Sequence, residues 1–449
     1  MDIMKIYNKL PVWGQNLACT IEGYRVHEKK YGKRVQRELP AMMERNTWNY
    51  SQVCAYRDEQ LRIMIRHCYE HVPYYYDLFN KLGINYNDIQ CLDDLKILPI
   101  MNKTTVRENA ELLMADNIKK SVLLPMHTSG TTGSGLQFYF TKDAFAIEWA
   151  DEIRNFCNLG LNGNERAAYF GGRQIVPRGL DNPPFYRINY AMKEAIFSAY
   201  HLKYENLKYY VEGLEKMRPL MWHGYPSFII TLAQYILDND IKLSFVPKCI
   251  LLTSENVSKS SVDKMELAFG CRPVVNYAQT EQVATFHQLN DGKIKVVEDY
   301  TAVEFVPRSE GDTVCKIVGT SLYNYAMPFL RYDTGDLATY RETDEGREVI
   351  KIDGRQEDIV KLKDGTVLGR LDHLFKDQIN IVEAQIIQHS IECVEFLIVQ
   401  GKNYSLKDEL ELKKIIDEFF LYRIDYKITY VKNIEKTENG KLRLVISKV

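Results

Sequence analysis

The chain has 449 residues with 58 Lys and Arg against 60 Asp and Glu, a net charge of −2, so it lacks the basic excess of a dedicated nucleic-acid binder. Its 45% hydrophobic and 26% charged residues fit a globular protein able to bury several cores, and no run approaches 18 apolar residues, so no membrane span is expected. Nine cysteines stand singly from Cys19 to Cys393 with no CxxC pair, which favours reduced thiols over a disulfide framework. With no signal-like apolar run at the N-terminus, the expected compartment is the cytoplasm.

The first hundred residues read as helical. After Ser51, the expected N-cap, apolar Leu61, Met64, Ile65, Cys68 and Val72 recur every three or four positions, and Pro73 is expected to close that helix. Apolar runs at Val122 to Pro125 and Leu136 to Phe140 flank HTSGTTGSG, which predicts strand, glycine loop, strand. From Leu207 to Ile250 helical stretches alternate with short apolar runs, as in an α/β layer. Strand-like segments dominate from Val274 to Ile352, including Lys316 to Thr320 and Glu348 to Ile352. Asp353 to Asp358 reads as a polar, turn-rich break. A compact set follows: strand Val394 to Val399, helix Leu406 to Phe420 with Ser405 and Asp408 placed for capping, and strand Tyr426 to Val431.

The glycine-rich loop invites a phosphate, but of which kind? Gly130 and Gly135 have Walker spacing, yet Leu136-Gln137 stands where that motif needs Lys and a hydroxyl, and a strand follows. A dinucleotide fingerprint fails on the same context. Glycine permits positive φ angles that turn several amides toward one anion, and the hydroxyls add donors. By itself the run fits a phosphate clamp and a polar hairpin loop equally well.

Other segments join it. TSGTTG at Thr128 to Gly133, NYAQTE at Asn276 to Glu281, RYDTGD at Arg331 to Asp336, GRQED at Gly354 to Asp358 and TENGK at Thr437 to Lys441 stand in the order of the adenylate-forming superfamily, which the chain resembles over nearly its whole length. HVPYYYDLF at His71, HGYPS at His223, LLTSENVS at Leu251 and AMPFLR at Ala326 resemble its phenylacetate–CoA ligase and CapK-type, capsule-biosynthesis branch. The resemblance implies a mixed α/β fold: a large N-terminal adenylation domain of layered sheets and helices over residues 1–353, and a small mobile α/β domain over 354–449.

It also implies chemistry. ATP would activate a small carboxylic acid as an acyl-AMP with loss of pyrophosphate, before transfer to CoA or to an amine or sugar acceptor. A catalytically silent nucleotide or acyl sensor on the same fold is the rival. Thr128, Ser129, Gly130, Thr131, Thr132 and Gly133 would cradle phosphates, although Ser134-Gly135 replaces a lysine common in relatives. Glu281 would hold Mg²⁺, a hard cation that takes oxygen ligands, and Thr280 would donate to the α-phosphate. Asn276, Tyr277 and Ala278 would line the nucleotide, with Tyr277 stacked on adenine and the Ala278 methyl narrowing the acyl pocket where relatives carry glycine. Asp336 would accept from the ribose hydroxyls and Arg355 would reach the ribose or a phosphate. Glu357 would mark the hinge, and Lys441 would bridge the carboxylate and the α-phosphate. Ser254 and Glu255 fall at the adenine pocket, His223 and Tyr225 at the acyl pocket. Cys249, Cys271, His287 and Cys315 are too widely spaced for a recognisable zinc motif, and no appended carrier domain is expected.

Overall fold

A computed structural model describes residues 3–127, 136–163, 165–177, 180, 182–255, 257, 259–309, 311–355, 360–363, 367–368, 371–375, 378, 380–420, 424–436 and 442–449. The chain divides into two compact units, one of Val26–Gly163 with Asn276–Asp353, the other of Met1–Arg25, Asn164–Val275 and Gly354–Val449. The division falls inside the strand Val274–Ala278 and between Asp353 and Gly354.

In the first unit the helix Tyr50–His71 buries Leu61, Met64, Ile65 and Cys68 against Phe138, Phe140 and Phe329. Its N-cap is Asn49, two residues before the expected Ser51. The Asn49 side chain accepts from the Gln52 amide at 3.0 Å while the Gln52 side chain accepts from the Asn49 amide at 3.0 Å. This reciprocal box needs Gln at the third helical position, which only Asn49 has. Pro73 does more than stop that helix. It opens the next one, Pro73–Leu82, where its missing N–H is among the donors that a first turn leaves unused.

The strands Leu124–His127 and Gln137–Phe140 pair antiparallel, with His127 opposite Gln137, so strands do stand on both sides of the glycine loop, the first shifted two residues later because Val122 ends a short 3-10 turn. The helix Lys142–Asn158 follows, capped by the Thr141 side chain. An antiparallel sheet occupies the rest of this unit, in the order Thr301–Pro307, Val314–Ser321, Tyr332–Thr343, Gly346–Arg355, Ile294–Val296, Thr285–Gln288 and the end of Val274–Ala278. Asp353 to Arg355 belong to a strand here, not to the expected break. They form the end of a 10-residue strand that neighbours the 12-residue strand Tyr332–Thr343 in the sheet order.

Buried ion pairs tie helices to this sheet. Asp299 accepts from Arg45 at 2.6 Å and from Arg154 at 2.6 and 2.9 Å, while Glu298 accepts from Arg57 at 2.8 Å and Arg347 at 2.6 Å. Buried carboxylates and guanidinium groups persist only when mutually paired in this way.

In the second unit Cys249–Leu252, Met221–Gly224, Ala167–Gly171 and Glu194–Ser198 are parallel neighbours, and Tyr186–Asn189 adds an antiparallel edge. The helices Leu207–Met217 and Pro226–Asp238 cover apolar strand faces rich in Phe170, Phe197 and Trp222. This is the α/β layer expected from Leu207 to Ile250. Toward the C-terminus a four-stranded sheet runs Asp425–Tyr430, Cys393–Gln400, Ile381–Ser390, Val445–Ser447. The helix Leu406–Phe420 has the expected bounds and buries Leu412 and Ile416 on it, and Asp408 accepts from the Ser405 amide at 2.8 Å. The strands Ile381–Ser390 and Val445–Ser447 went unread in the sequence. Among the described residues no helix is long and apolar enough to cross a membrane.

Candidate functional site

Within the first unit, alternation along Val274–Ala278 puts Tyr277 on one face of the strand and Asn276 and Ala278 on the other. The Tyr277 ring stacks on Phe286 with centroids 4.7 Å apart, and its hydroxyl donates to Asp336 Oδ2 at 3.0 Å. Gln279 Nε2 donates to the same Oδ2 at 2.5 Å and to the Tyr277 hydroxyl at 2.8 Å. The Asp336 amide donates in turn to Thr334 Oγ1 at 3.1 Å. Two donors from a segment nearly 60 positions away thus hold one oxygen of a buried carboxylate, while the backbone of Asp336 is fixed by Thr334. Gln279 is a member of this triangle that the sequence reading left without a role.

Glu281 lies close by. It is buried, the Tyr332 hydroxyl donates to its Oε1 at 3.3 Å, and loss of water pushes its pKa up, with the Asp336 charge adding to the effect. Thr280 and Ala278 are exposed. Backbone strain gathers at these segments: Gln282 and Arg331 hold positive φ of 56° and 50°, a conformation L side chains rarely adopt. The Arg331 side chain serves packing, because its Nε–Nη2 edge is taken by Glu304 at 2.9 and 2.8 Å and its Nη1 by the Leu98 carbonyl at 2.5 Å.

On the opposite strand face Asn276 Nδ2 donates to Glu152 Oε1 at 3.2 Å, and from the turn beyond the strand Gln282 Nε2 donates to Glu148 Oε2 at 2.9 Å. These glutamates on the helix Lys142–Asn158 were absent from the sequence reading. Their spacing of four, which puts both on one helix face, was the available signal. His287 Nε2 stands 3.3 Å from Asp151 Oδ2, and burial pushes the imidazole pKa down. Among the described residues no three His, Cys, Asp or Glu side chains converge as a metal's ligands.

In the second unit His223 Nε2 is 3.0 Å from Glu194 Oε1, and Arg173 reaches Glu194 Oε2 at 2.9 Å while covering the Tyr169 ring. Gly224, next in chain, has φ of 150°, and a Cβ there would strike the Phe170 carbonyl, so only glycine fits this turn into the helix Pro226–Asp238. Tyr225 is buried beside it. Ser254 is exposed with φ of 70°. Glu255 accepts from the Ser227 amide at 2.8 Å, the Ser227 hydroxyl at 3.0 Å and the Leu442 amide at 3.0 Å. The residue after Lys441 is thereby tethered to the Ser254-Glu255 segment. Loss of water raises the Glu255 pKa, and these donors pull the other way.

Thr128, Ser129, Gly130, Thr131, Thr132, Gly133, Glu357 and Lys441 lie outside the described residues. Arg355 ends the strand Gly346–Arg355. The expected residues that are described therefore form two groups, Tyr277 with Asp336 and Glu281 in one unit, and Ser254 with Glu255, His223 and Tyr225 in the other.

Residues 359–448 match the family model of the CapK C-terminal domain. The whole chain is 26% identical to Protein CapK of Staphylococcus aureus, with 99% of both chains covered. It is 22% identical to a phenylacetate-coenzyme A ligase of Thermus thermophilus, covering 83% of this chain and 84% of the relative. Among solved structures, 2-hydroxyisobutyryl-CoA ligase in its postadenylation state with R3-HIB-AMP superposes with a TM-score of 0.69 at 17% identity, covering 90% and 91% of the two chains. At that identity the likeness is one of fold, and the fold is shared over nearly the full length.

Proposed function

We infer, from the placement of this chain in the CapK-like and phenylacetate–CoA ligase-like branch of the adenylate-forming superfamily, that it is an ATP-dependent ligase activating a carboxylic acid as its acyl-AMP. The observation carrying this reading is the Asp336 carboxylate, clamped through one oxygen by Tyr277 and Gln279 inside the motif segments. A carboxylate held at fixed orientation is suited to accept from a pair of vicinal hydroxyls, as on a ribose.

The residues present fit a divalent cation at Glu281. Its carboxyl is buried, takes a hydroxyl donor at 3.3 Å, and is pushed toward the neutral form by loss of water in spite of the Lys103 charge, so a cation would add to the compensation it has. Magnesium bound there would draw charge from the phosphate oxygens. The remaining tasks belong to the chain. Asp336 orients the sugar and Thr280 donates to the α-phosphate. The Thr128 to Gly133 amides hold the outgoing phosphates. Lys441, next to the Leu442 amide that bonds Glu255, offsets the charge gathering at phosphorus as the carboxylate attacks and pyrophosphate leaves.

For the second step the likeness to phenylacetate–CoA ligases supports CoA as acceptor. An amine or sugar acceptor, giving an amide or ester, is the other reading, and the His223–Glu194 pair serves it as well as it serves a thiol. A protonated amine or a hydroxyl must give up a proton to attack, which a carboxylate-oriented imidazole can take. The chain 354–449 is read as the small domain that carries Lys441.

Acid-dependent ATP–pyrophosphate exchange tests the reading. Lys441→Ala is expected to lower exchange by about a thousandfold, in the range of losing one transition-state donor, while leaving use of preformed acyl-AMP within a few fold. Equal loss in both assays would refute this division of labour, and no exchange with any acid would favour a silent sensor.

A further inference from the structure

The face of the strand opposite Tyr277 carries a feature that adenylation itself does not require. Glu148 and Glu152 lie one turn apart on the helix Lys142–Asn158 and point the same way. Both keep contact with solvent. Each receives one hydrogen bond from a carboxamide, Gln282 on Glu148 and Asn276 on Glu152. The same planar amides leave their oxygens without any partner, although Asn276 and Gln282 are only 5% and 3% exposed. The Tyr300 hydroxyl, buried within the field of Glu148, Asp151 and Glu152, has no partner either.

Every unmet group can accept a hydrogen bond, and the two carboxyls add negative charge. A buried acceptor without a donor costs on the order of 1–3 kcal/mol, so two orphan oxygens beside two carboxyls mark a place prepared for donors. Of the nearby cations only the Lys30 charge reaches the pair, and both carboxyls stay raised in spite of it. Arg154 is bound to Asp151 and Asp299, His287 faces Asp151, and the Lys30 ammonium lies over the Trp149 ring at 3.7 Å. Three donors and a charge are what a primary ammonium offers. A divalent ion is the poorer fit, since among the described residues no three carboxylates, imidazoles or thiols converge.

We propose that Glu148, Glu152, Asn276 and Gln282 form a subsite for a primary ammonium group carried by the acid or by the acceptor that the enzyme joins. The proposal rests on the ligase reading for its substrate, and its position supports that link. Asn276 immediately precedes Tyr277, and Gln282 immediately follows Glu281, so the subsite brackets the segment that holds Asp336. Burial and the Asp151 charge push Glu148 up to about 7 and Glu152 to about 8, and the neighbouring Glu148 charge adds to the latter. Binding an ammonium would reverse this and release protons.

The test begins with n-propylammonium against its neutral isostere n-propanol, followed by ligand-observed NMR on the full chain. Wild type is expected to bind the ammonium and not the alcohol, and Glu148→Gln with Glu152→Gln is expected to weaken binding by about tenfold or more, the range for losing a charged hydrogen bond. Thermal melts check that these near-isosteric variants fold. ATP–pyrophosphate exchange with amino acids and their deaminated counterparts then locates the group. Preference for the amino form by tenfold or more in kcat/KM, lost in the variants, assigns it to the acid. Exchange indifferent to the amino group, with acyl transfer to amines lost in the variants, assigns it to the acceptor. Equal binding of alcohol and ammonium, or wild-type affinity in the double variant, overturns the subsite. Absence of exchange with every acid while the variants still lose ammonium binding refutes the ligase reading and supports the subsite.

Discussion

Replacing Glu148 and Glu152 together by glutamine should remove a fall in stability with rising pH. Both carboxyls stay protonated in the folded chain to higher pH than in the unfolded one, because burial raises them from 4.5 to about 7 and about 8. Between roughly pH 5 and 7 the folded state holds protons that the unfolded state has released, so stability falls as pH rises. Each such group contributes a slope of about 1.4 kcal/mol per pH unit. The pair therefore removes at most about 2.7 kcal/mol between pH 5.5 and 6.5, a ceiling because both side chains keep some water. His67 and His287, held neutral by burial, act with the opposite sign, and the Asp151 and Lys30 charges facing the pair are the same in both proteins. The difference between wild type and double variant thus isolates the glutamates. Urea unfolding at the two pH values, followed by tryptophan fluorescence that includes Trp149 on the same helix, measures it. Parallel pH profiles for the two proteins would refute the assignment of raised values to this pair.

Two further outcomes follow from the first unit. Asp299→Ala should cost about 3–5 kcal/mol in urea unfolding, because it strands the buried Arg45 guanidinium and leaves Arg154 with Asp151 as its remaining carboxylate. A loss under about 1 kcal/mol would show the cluster to be relaxed by water. Asp336→Asn should raise the KM for ATP by about tenfold with kcat changed little, the signature of a binding contact made equally in ground and transition states. An unchanged KM would separate Asp336 from the nucleotide.

Much of the architecture was legible because it is written locally. Strands stand on both sides of the glycine loop, and Leu406–Phe420 matched its apolar spacing and its Ser405–Asp408 cap to the residue. Errors arose where two local signals competed. Ser51 and Asn49 are both good caps, and the choice lay with Gln52, whose side chain closes the box on Asn49 alone. Asp353-Gly354 reads as a turn in isolation, yet the strand runs on to Arg355, an instance of tertiary context overriding propensity.

The candidate site divides along the same line. Tyr277, Glu281 and Asp336 could be read because each sits in a short motif whose residue types state their chemistry. Glu148 and Glu152 could not, since on a helix such glutamates pass for a solvated face. What makes them different arrives from 124 and 134 positions away, when Asn276 and Gln282 bring amides to them and water is reduced around both. The motif residues act on the nucleotide, the part of the reaction common to any acid. Groups that choose a particular acid or acceptor must instead meet its distinctive atoms, and the distinctive demand of these four side chains is for hydrogen-bond donors carrying positive charge. Asn276 makes the two roles separable: as the last residue before Tyr277 it shares the backbone of the nucleotide face, while its side chain belongs to the carboxyl pair. Asn276→Leu should therefore spare ATP binding and weaken discrimination for the amino group, whereas loss of both together would mean that the two faces of this strand work as one site.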